Sequence, residues 1–341
     1  MKSQQDVAKR AGVSFMTVSR VINGRGNVRQ ETREKVLKAI EDLAYHPNAA
    51  ARALTMNRTN TIGIVVPHDE YYVSATYFTE LLFTIERHIQ AQGRNLIFSA
   101  PPRGKHRGEY AGLYKQRKVD GLIIVAPLLR DLSLRKMAQE RIPFVLVNGR
   151  VAKGEADLVD VDNFLGTEKA MTHLLSLGHR RIGFISGGLT VINGVHRFRA
   201  YLRFLRAHGL DGEPGLIYRG DWSMESGYRA LSRFLALKQP PTALFCANDQ
   251  MALGVIRAAH DIGMRIPRDL SLVGYDDIRM ASFSTPALTT VRQPMSRLGE
   301  CAARLILAAV SGEQREKEQV IIEPELVVRS STSVPERKES V

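Results

Sequence analysis

The segment Asp6–Gly24, with the sequence DVAKRAGVSFMTVSRVING, constrains the fold more than any other part of the chain. Its first residues have the spacing of a short amphipathic helix, and Gly12 follows where a turn is needed. Ser14 can cap a second helix that ends near Val21–Asn23. Because Ala8 is small and Gly12 is flexible, the two helices can approach closely at a steep angle. The pattern predicts a helix-turn-helix, whose second helix fits the major groove of DNA.

The N-terminal sixth of the chain carries much of the positive charge. The formal net charge of the 341 residues is +13, and residues 1–60 contain 11 Lys or Arg against 5 Asp or Glu. Positive charge beside a helix-turn-helix favours attraction to DNA phosphates, although charge alone is also typical of a solvated surface. A third helix over Gln30–Ala44 can cover the first two. Residues 1–45 are therefore predicted to form a DNA-binding head.

Composition argues against several other classes of protein. No apolar run approaches the roughly 20 residues that a membrane-spanning helix needs. The N-terminus lacks the apolar stretch of a signal peptide, so we expect a cytoplasmic protein. The two cysteines, Cys246 and Cys301, suit a reducing compartment and supply no metal-binding framework. No metal and no cofactor are predicted.

Residues 46–60 are predicted to connect the head to the rest of the chain. Pro47 ends the head, and Asn48 can cap a short helix over Asn48–Met56. Isolated helices below about 12–15 residues are marginal in water, so this helix should need a partner in order to form. The alternative is a plain linker that happens to be rich in alanine.

Residues 61–330 alternate apolar strands with amphipathic helices, which is typical of parallel α/β sheets covered on both faces. Two series of similar length predict two doubly wound sheets side by side, with a ligand cleft outside the carboxyl ends of their strands. The predicted strands are Ile62–Val66, Asn95–Phe98, Leu122–Val125, Phe144–Val147, Ile182–Ile185, Leu216–Tyr218, Ala243–Cys246 and Leu270–Val273. The predicted helices include Phe78–Gln92, Thr167–Leu177, Arg197–Ala207 and Met251–Ile262.

Ordered motifs along nearly the whole chain carry a family resemblance. They are DVAKRAGVSFMTVSRVING, TREKV, PNAAARAL, DNFLGTEKAMTHLLSLGHRRI, GDWSMESG, ANDQMALG, LSLVGYDD and LTTVRQP. The chain resembles the lac-repressor (LacI/GalR) family of bacterial transcription regulators. That resemblance implies a homodimer on a pseudo-palindromic operator and a core similar to periplasmic sugar-binding proteins.

The resemblance also implies how the core is divided. The chain is expected to cross three times between two subdomains, the first formed by residues 61–161 plus 292–330 and the second by residues 162–291. Residues 331–341 are expected to be a tail. The segment after Arg329 has no heptads, so no tetramer-forming helix is predicted. By analogy, dimerisation is expected through the helix Phe78–Gln92 and a helix near Ile278–Phe283.

The family match assigns residues of the second helix to DNA. It places Phe15, Met16 and Arg20 at the base edges, where Arg20 can pair bidentately with guanine and the other two can make only apolar contacts. The alternative for Phe15 and Met16 is packing against the third helix. Phosphate contacts are expected from Ser14, Thr17, Ser19 and Asn23.

The resemblance gives the connector a role at the centre of the operator. Leu54 is expected to insert into the minor groove, where an apolar wedge unstacks a base step and bends the duplex. Asn48 and Ala51 are expected to face the DNA with it.

A second set of residues is implied for an effector, which the resemblance suggests is a sugar. Trp222 offers a flat face to a sugar ring, although core filling is the alternative. The family match assigns Arg197, Asn248 and Asp276 to the ligand, and the chain has Ala200 where the family usually has glycine. Further candidates are Asn148, Asp249 and Gln293, together with Tyr71 and Tyr72 in the loop after the first strand.

Effector binding is expected to change the relative position of the subdomains and hence of the two connector helices. Two other classes of protein compete with this interpretation, a carbohydrate-active enzyme and a secreted sugar-binding protein. The sequence contains no GxGxxG, P-loop, GxSxG or HExxH motif, and the head argues against a secreted binding protein. A purine or protein corepressor in place of the sugar also remains open.

Overall fold

The computed structural model describes residues 2–22, 26–46, 58–66, 76–100, 110–129, 131–152 and 154–336. In the head, the Ser3 hydroxyl accepts a hydrogen bond from the backbone of Asp6, and the Asp6 carboxylate accepts one from the backbone of Ser3. This reciprocal cap fixes the start of the first helix. Gly12 ends that helix in the left-handed conformation, with a φ of 64°. The helices of the head are α1 (Gln4–Ala11), α2 (Phe15–Ile22) and α3 (Gln30–Asp42).

The head has the predicted helix-turn-helix and a core of its own. The Ser14 hydroxyl accepts a hydrogen bond from the Thr17 backbone at 3.1 Å, which is the predicted cap of α2. Val18 and Val21 of α2 are buried against α1 and α3. An ion pair of 2.9 Å between Arg10 and Asp42 joins α1 to α3. These contacts leave the opposite face of α2 open.

The first sheet of the core is entirely parallel. Its strands are β1 (Thr61–Val65), β2 (Asn95–Ser99), β3 (Gly121–Val125), β4 (Phe144–Val147), β5 (Asp157–Val161) and β11 (Gln319–Ile322), in the order β11-β5-β4-β3-β1-β2. The helices that cover it are α4 (Thr76–Ala91), α5 (Gly112–Lys115), α6 (Leu132–Gln139) and α12 (Met295–Ser311). α4 and α12 pack on one face, whereas α5 and α6 pack on the other. The strands are therefore apolar on both sides.

The second sheet is parallel except at one edge. Its strands are β6 (Ile182–Ser186), β7 (Ile217–Arg219), β8 (Ala243–Cys246), β9 (Ser271–Asp276), β10 (Thr289–Arg292) and β12 (Glu325–Val327), in the order β12-β10-β9-β8-β6-β7. Only β12 is antiparallel to its neighbour within this sheet. The helices of this half are α7 (Asn163–Ser176), α8 (Ile192–Ala207), α9 (Met224–Leu235), α10 (Asp249–Asp261) and α11 (Arg279–Phe283). The predicted pair of doubly wound sheets is confirmed.

Two expected boundaries in the C-terminal part are wrong. β12 pairs with the second sheet, so residues 292–330 do not all belong with the first sheet as expected. The segment expected to begin a tail is also packed, because Ser331 is buried and its hydroxyl donates to the Leu272 carbonyl at 2.6 Å. The Ser333 carbonyl accepts from the Ser271 hydroxyl at 3.1 Å. The physical cause is strand pairing and hydrogen bonding between distant segments, which no local pattern reveals.

The carboxyl ends of the two sheets face each other. An isolated bridge joins Leu128, after β3, to Val191, after β6. The Leu129 backbone also donates to the Thr190 carbonyl at 3.0 Å. Because parallel strands share one direction, the amino ends of the two sheets lie at opposite extremes of the core.

The chain enters the first sheet at its amino edge through a polar clamp. The Asp120 carboxylate accepts hydrogen bonds from the backbones of Thr59 and Asn60 at 2.7 and 3.0 Å. Arg94 forms an ion pair with the same carboxylate at 2.9 Å. The clamp fixes the end of the connector beside the start of β3. Among the helices that the structure describes, none is long and apolar enough to cross a bilayer.

Candidate functional site

A buried arginine lies at the point where strands of both sheets end. Arg197 of α8 is only 2% exposed, and its Nε donates to the Asn163 side chain at 2.8 Å, just after β5. Its Nη1 donates to the Ala247 carbonyl at 2.5 Å and lies 3.4 Å from Asp276 at the end of β9. The guanidinium also stacks 3.6 Å above the centre of the Tyr275 ring. Arg197 thus joins α8 to the start of α7, which directly follows β5 of the first sheet, and to the carboxyl ends of β8 and β9.

Asp276 and Gln293 form the second part of this cluster. The Gln293 side-chain amide donates to the Asp276 carboxylate at 2.5 Å, and both residues are nearly buried. Burial raises the pKa of Asp276 to about 6, while Arg197 and Gln293 act in the opposite direction. Its backbone φ of 119° is unusual for a residue other than glycine. Such strain persists where surrounding contacts hold it, commonly at binding sites.

Asp160 is a further buried carboxyl group of the cleft, and sequence analysis missed it. It lies on β5, is 4% exposed, and accepts a hydrogen bond from the Val161 backbone at 2.8 Å. Burial raises its pKa to about 7, although that hydrogen bond and Arg197 lower it. The available signal was the set of three acidic residues within the otherwise apolar segment DLVDVD.

The Asp249 carboxylate is fully engaged in hydrogen bonds within the protein. One carboxylate oxygen accepts from the Ile278 backbone at 2.8 Å and the other from the Thr290 hydroxyl at 2.5 Å. Complete burial and the nearby Asp276 raise its pKa well above the usual range. Asp249 therefore joins α10 to the segments around β9 and β10, and the expected contact with an effector is not favoured.

Trp222 is held by glycine contacts and by an asparagine. Its indole ring lies directly against Gly187, where a Cβ atom would come within 2.3 Å of the ring. The Trp222 carbonyl accepts from the Asn248 side chain at 3.0 Å, and the same side chain caps α10 by accepting from the Met251 backbone at 2.9 Å. Asn248 thus positions the Trp222 loop. The contact of Asn248 with an effector stays a prediction.

Buried polar atoms without a hydrogen-bond partner gather at the carboxyl ends of the strands. Leaving such an atom unsatisfied costs about 1–3 kcal/mol, so a ligand or water that satisfies it is favoured. Among the described residues, these atoms include both side-chain polar atoms of Asn148, Ser186 Oγ, Asn193 Oδ1, Tyr275 Oη and Gln293 Oε1. A cavity of about 640 Å³ begins at Asp276 and Gln293 and continues to Phe83 of α4 and Met295 of α12.

The structure brings together several of the predicted effector residues. Arg197, Asp276 and Gln293 form one cluster, and the Arg197 guanidinium lies 5.9 Å from the centre of the Trp222 ring. Asn148 has a left-handed backbone and follows β4 at the same edge. Tyr71 and Tyr72 lie outside the described residues. Within the described residues, no group of three or more acidic, His or Cys side chains could hold a metal ion.

The predicted DNA-facing residues lie on the open face of α2. Phe15 and Met16 are 51% and 61% exposed, so they do not pack against α3 as the alternative required. Arg20 is exposed near the end of the same helix. Ser14, Thr17 and Ser19 complete the described part of the set. The predicted contacts Asn23, Asn48, Ala51 and Leu54 fall outside the described residues.

Two known families match the chain, one in the head and the other in the core. Residues 4–48 match a family described as bacterial regulatory proteins of the lacI family. Residues 171–332 match a periplasmic binding protein-like domain.

Relatives and solved structures match almost the whole chain. An HTH-type transcriptional repressor PurR from Erwinia tasmaniensis is 39% identical over 336 residues, which are 98% of this chain and 97% of the relative. A lac repressor dimer bound to operator and the anti-inducer ONPF has a TM-score of 0.87 at 29% identity, with 97% and 99% of the two chains covered. A complex of the transcriptional regulator CelR with cellobiose has a TM-score of 0.75 at 30% identity and covers 97% and 100%.

A helix-turn-helix head followed by a two-sheet core with a buried polar cleft defines a DNA-binding transcriptional regulator with a ligand-binding core. The relatives are repressors rather than enzymes. The chain belongs to the lacI family of bacterial regulatory proteins, and it is a transcriptional repressor of that family.

Proposed function

We propose that this repressor binds a pseudo-palindromic operator as a homodimer, and that a small carbohydrate in the cleft controls its operator affinity. The observation that carries the proposal is the Trp222 ring, 5.9 Å from the Arg197 guanidinium, at the same carboxyl edges where buried polar atoms lack protein partners. An aromatic face suits the apolar face of a sugar ring, while amide and hydroxyl groups both donate to and accept from sugar hydroxyls.

The charge of the cleft supports a neutral ligand. The Arg197 guanidinium faces Asp276 at 3.4 Å, so its positive charge is already balanced within the protein. The unpartnered atoms of Asn148, Asn193 and Gln293 are uncharged amide atoms. An anionic effector would need an unbalanced cation, whereas a polyhydroxyl compound needs such neutral partners. The cellobiose complex of the similar regulator CelR is consistent with this choice.

A purine is the second candidate effector. In that case the ligand would act as a corepressor, which strengthens operator binding. The 39% identity with a repressor named PurR exceeds the 30% identity with CelR, which favours testing this class as well. A planar heterocycle can also stack on Trp222, and its ring nitrogens can pair with amides.

We propose the following roles on the DNA side. Arg20 reads guanine, Phe15 and Met16 contact thymine methyl groups, and the polar residues of α2 bind phosphates. Leu54, in the connector 46–60, enters the minor groove at the operator centre. Dimerisation would cover exposed apolar side chains, since Phe83 and Phe283 are each 67% exposed. Such a protein works in the bacterial cytoplasm and has no enzymatic role.

Two experiments test this function. In vitro selection from a random duplex pool with the full-length protein should recover a pseudo-palindromic sequence. A thermal-shift screen of mono- and disaccharides, with purine bases and nucleosides alongside, should show a sugar that raises the melting temperature. If only purines raise the melting temperature, the proposed effector is a purine and not a carbohydrate. If the selection recovers no common sequence, the operator role is contradicted.

A further inference from the structure

We propose that the amino edge of the first sheet is a second DNA-contacting surface, which binds phosphates beside those bound by the head. The proposal rests on the DNA-binding role of this repressor. The surface, called here the amino-edge rim, consists of Arg58, Arg117, Lys118 and Arg141. All four side chains are exposed.

The rim surrounds the point where the connector joins the core. Thr59 and Asn60 are clamped by Asp120, and Arg117 and Lys118 come directly before that residue. Arg141 precedes β4, which lies beside β3 in the sheet. The rim cations therefore come from neighbouring segments at one edge of one sheet.

The rim cations have no ion-pair partner among the residues that the structure describes, whereas the nearby carboxylates are already engaged. Asp120 pairs with Arg94 at 2.9 Å, and Glu140 pairs with Lys115 at 2.8 Å. The remaining acidic side chains of this edge are farther from the connector: Glu155 precedes β5, three strands from β1, and Glu313 and Glu316 lie in the loop after α12, which packs on one face of the sheet. The edge beside the connector is consequently positive.

Two rim residues also have an unusual backbone. Arg117 and Arg141 follow helices α5 and α6, and their φ values are 54° and 55°. Glycine or asparagine is favoured at a left-handed position after a helix, and other residues carry a steric cost of about 1–2 kcal/mol there. A long cation occupies this position in two separate loops, where glycine would avoid the steric cost of a Cβ atom. Both loops therefore present a charged side chain at the rim.

The position of the rim makes DNA the fitting partner. The cleft lies at the carboxyl edge of the first sheet, so the amino edge points away from it, toward the connector. His46 of the head and Arg58 are 12 residues apart, which limits their separation to roughly 40 Å in any conformation. A head bound to DNA therefore keeps the rim near the same duplex, where unpaired Arg and Lys attract phosphates.

The test measures how operator affinity depends on salt. The triple variant Arg117→Gln, Lys118→Gln and Arg141→Gln is titrated against a duplex recovered by the in vitro selection and against a random duplex of equal length. Log affinity falls as log salt rises, and each lost phosphate contact makes this negative slope shallower by about 0.9. We expect a slope smaller by about 2 or more and at least tenfold weaker binding at 50 mM salt.

A charge-matched control removes three arginines elsewhere. Arg199, Arg203 and Arg206 are exposed along α8 of the second sheet and have no ion-pair partner among the described residues. Their replacement by Gln should leave the slope unchanged, and thermal melting confirms that both variants fold. An equal loss in both triples, or an unchanged slope in the rim variant, would overturn the proposal. Weaker binding with an unchanged slope would overturn it as well, and would point to a contact with protein.

The rim and the proposed function fail in different ways. Failure of the wild-type protein to select a common sequence counts against the operator role. A rim variant that keeps the wild-type salt slope on that sequence counts only against the rim.

Discussion

At the scale of single residues, the cleft combines strained backbones with buried charges. Asn148, Trp222, Asp276 and Asp277 all have left-handed φ values, and all follow or end strands at the carboxyl edge. Each costs free energy of folding and is maintained by surrounding contacts, such as the Asn248 amide that holds the Trp222 carbonyl. Strained, polar positions at the carboxyl edges of the strands are typical of a preorganised ligand site.

Trp222 provides the first prediction. Trp222→Ala should weaken binding of the sugar that gives the largest thermal shift by about 10- to 100-fold, because the stacking surface is lost. Trp222→Phe keeps an aromatic face and should retain most of the affinity. Isothermal titration calorimetry measures both. Equal affinity of wild type and Trp222→Ala would mean that the effector does not stack on this ring.

Asp160 provides the second prediction. With a folded-state pKa near 7 and a lower pKa when unfolded, this group holds a proton in the folded state that the unfolded state releases. Its contribution therefore lowers stability as the pH rises from about 4 to 7. Asp160→Asn should raise the free energy of unfolding by about 1–3 kcal/mol at pH 8 and by much less at pH 5.

Urea unfolding at both pH values measures this difference, and the exposed Glu313→Gln variant is the control. The same gain at pH 5 and pH 8 would show that Asp160 does not carry a raised pKa.

At the scale of elements, the start of α8 and the Trp222 loop depend on each other. A Cβ atom on Gly194 would lie 2.3 Å from the Gly188 carbonyl oxygen and 3.2 Å from the Trp222 ring. The first turn of α8 therefore packs against the turn after β6 without space for a side chain. Its position fixes both the aromatic surface and Arg197 one turn further along.

Gly194→Ala is consequently predicted to lower the melting temperature and to weaken effector binding. We expect a loss of about 1–3 kcal/mol in unfolding free energy, because backbone atoms rather than a flexible side chain must move. Gly112→Ala is the matched control, since no atom lies within 4 Å of its added Cβ. Differential scanning fluorimetry compares the two, and equal melting temperatures would contradict the close packing.

Most of the core strands that the sequence predicted are uninterrupted apolar runs. β3 and β4 were predicted because Leu122–Val125 and Phe144–Val147 are wholly apolar. β5 was missed because Asp157 and Asp160 interrupt its pattern, although Asp157 is buried with Arg315 at 2.8 Å. A distant partner made a charged strand residue compatible with the core, and local spacing contains no information about that partner.

At the scale of the whole molecule, the two sheets and the head were predictable, whereas the last crossing between the sheets was not. β11 and β12 are two residues apart in the sequence, yet they extend different sheets. Only the pairing of Gln319–Ile322 with β5 and of Glu325–Val327 with β10 decides their place. Within the candidate site, the sequence predicted Arg197, Asp276 and Gln293, which the structure brings together in one cluster. Asp160 and Asn163 are recognised as neighbours of Arg197 only once the structure places β5 beside α8.

The same architecture explains how a ligand can act at a distance. The cleft lies at the carboxyl edges of both sheets, and the Asp120 clamp holds the connector at the amino edge of the first. If the ligand and the operator each favour a particular relative position of the two sheets, the ligand shifts operator affinity, and DNA shifts ligand affinity by the same factor.

Operator affinity measured with and without the effector shows whether the cleft controls DNA binding. A fluorescence-anisotropy titration of the selected duplex is repeated with saturating amounts of the sugar from the thermal-shift screen. We expect a change of about 5- to 150-fold in the operator affinity of the wild type. At a sugar concentration that only just saturates the wild type, Trp222→Ala should show a much smaller change, while its operator affinity without sugar stays the same. An operator affinity that the bound sugar leaves unchanged, or an equal response in Trp222→Ala, would contradict this expectation.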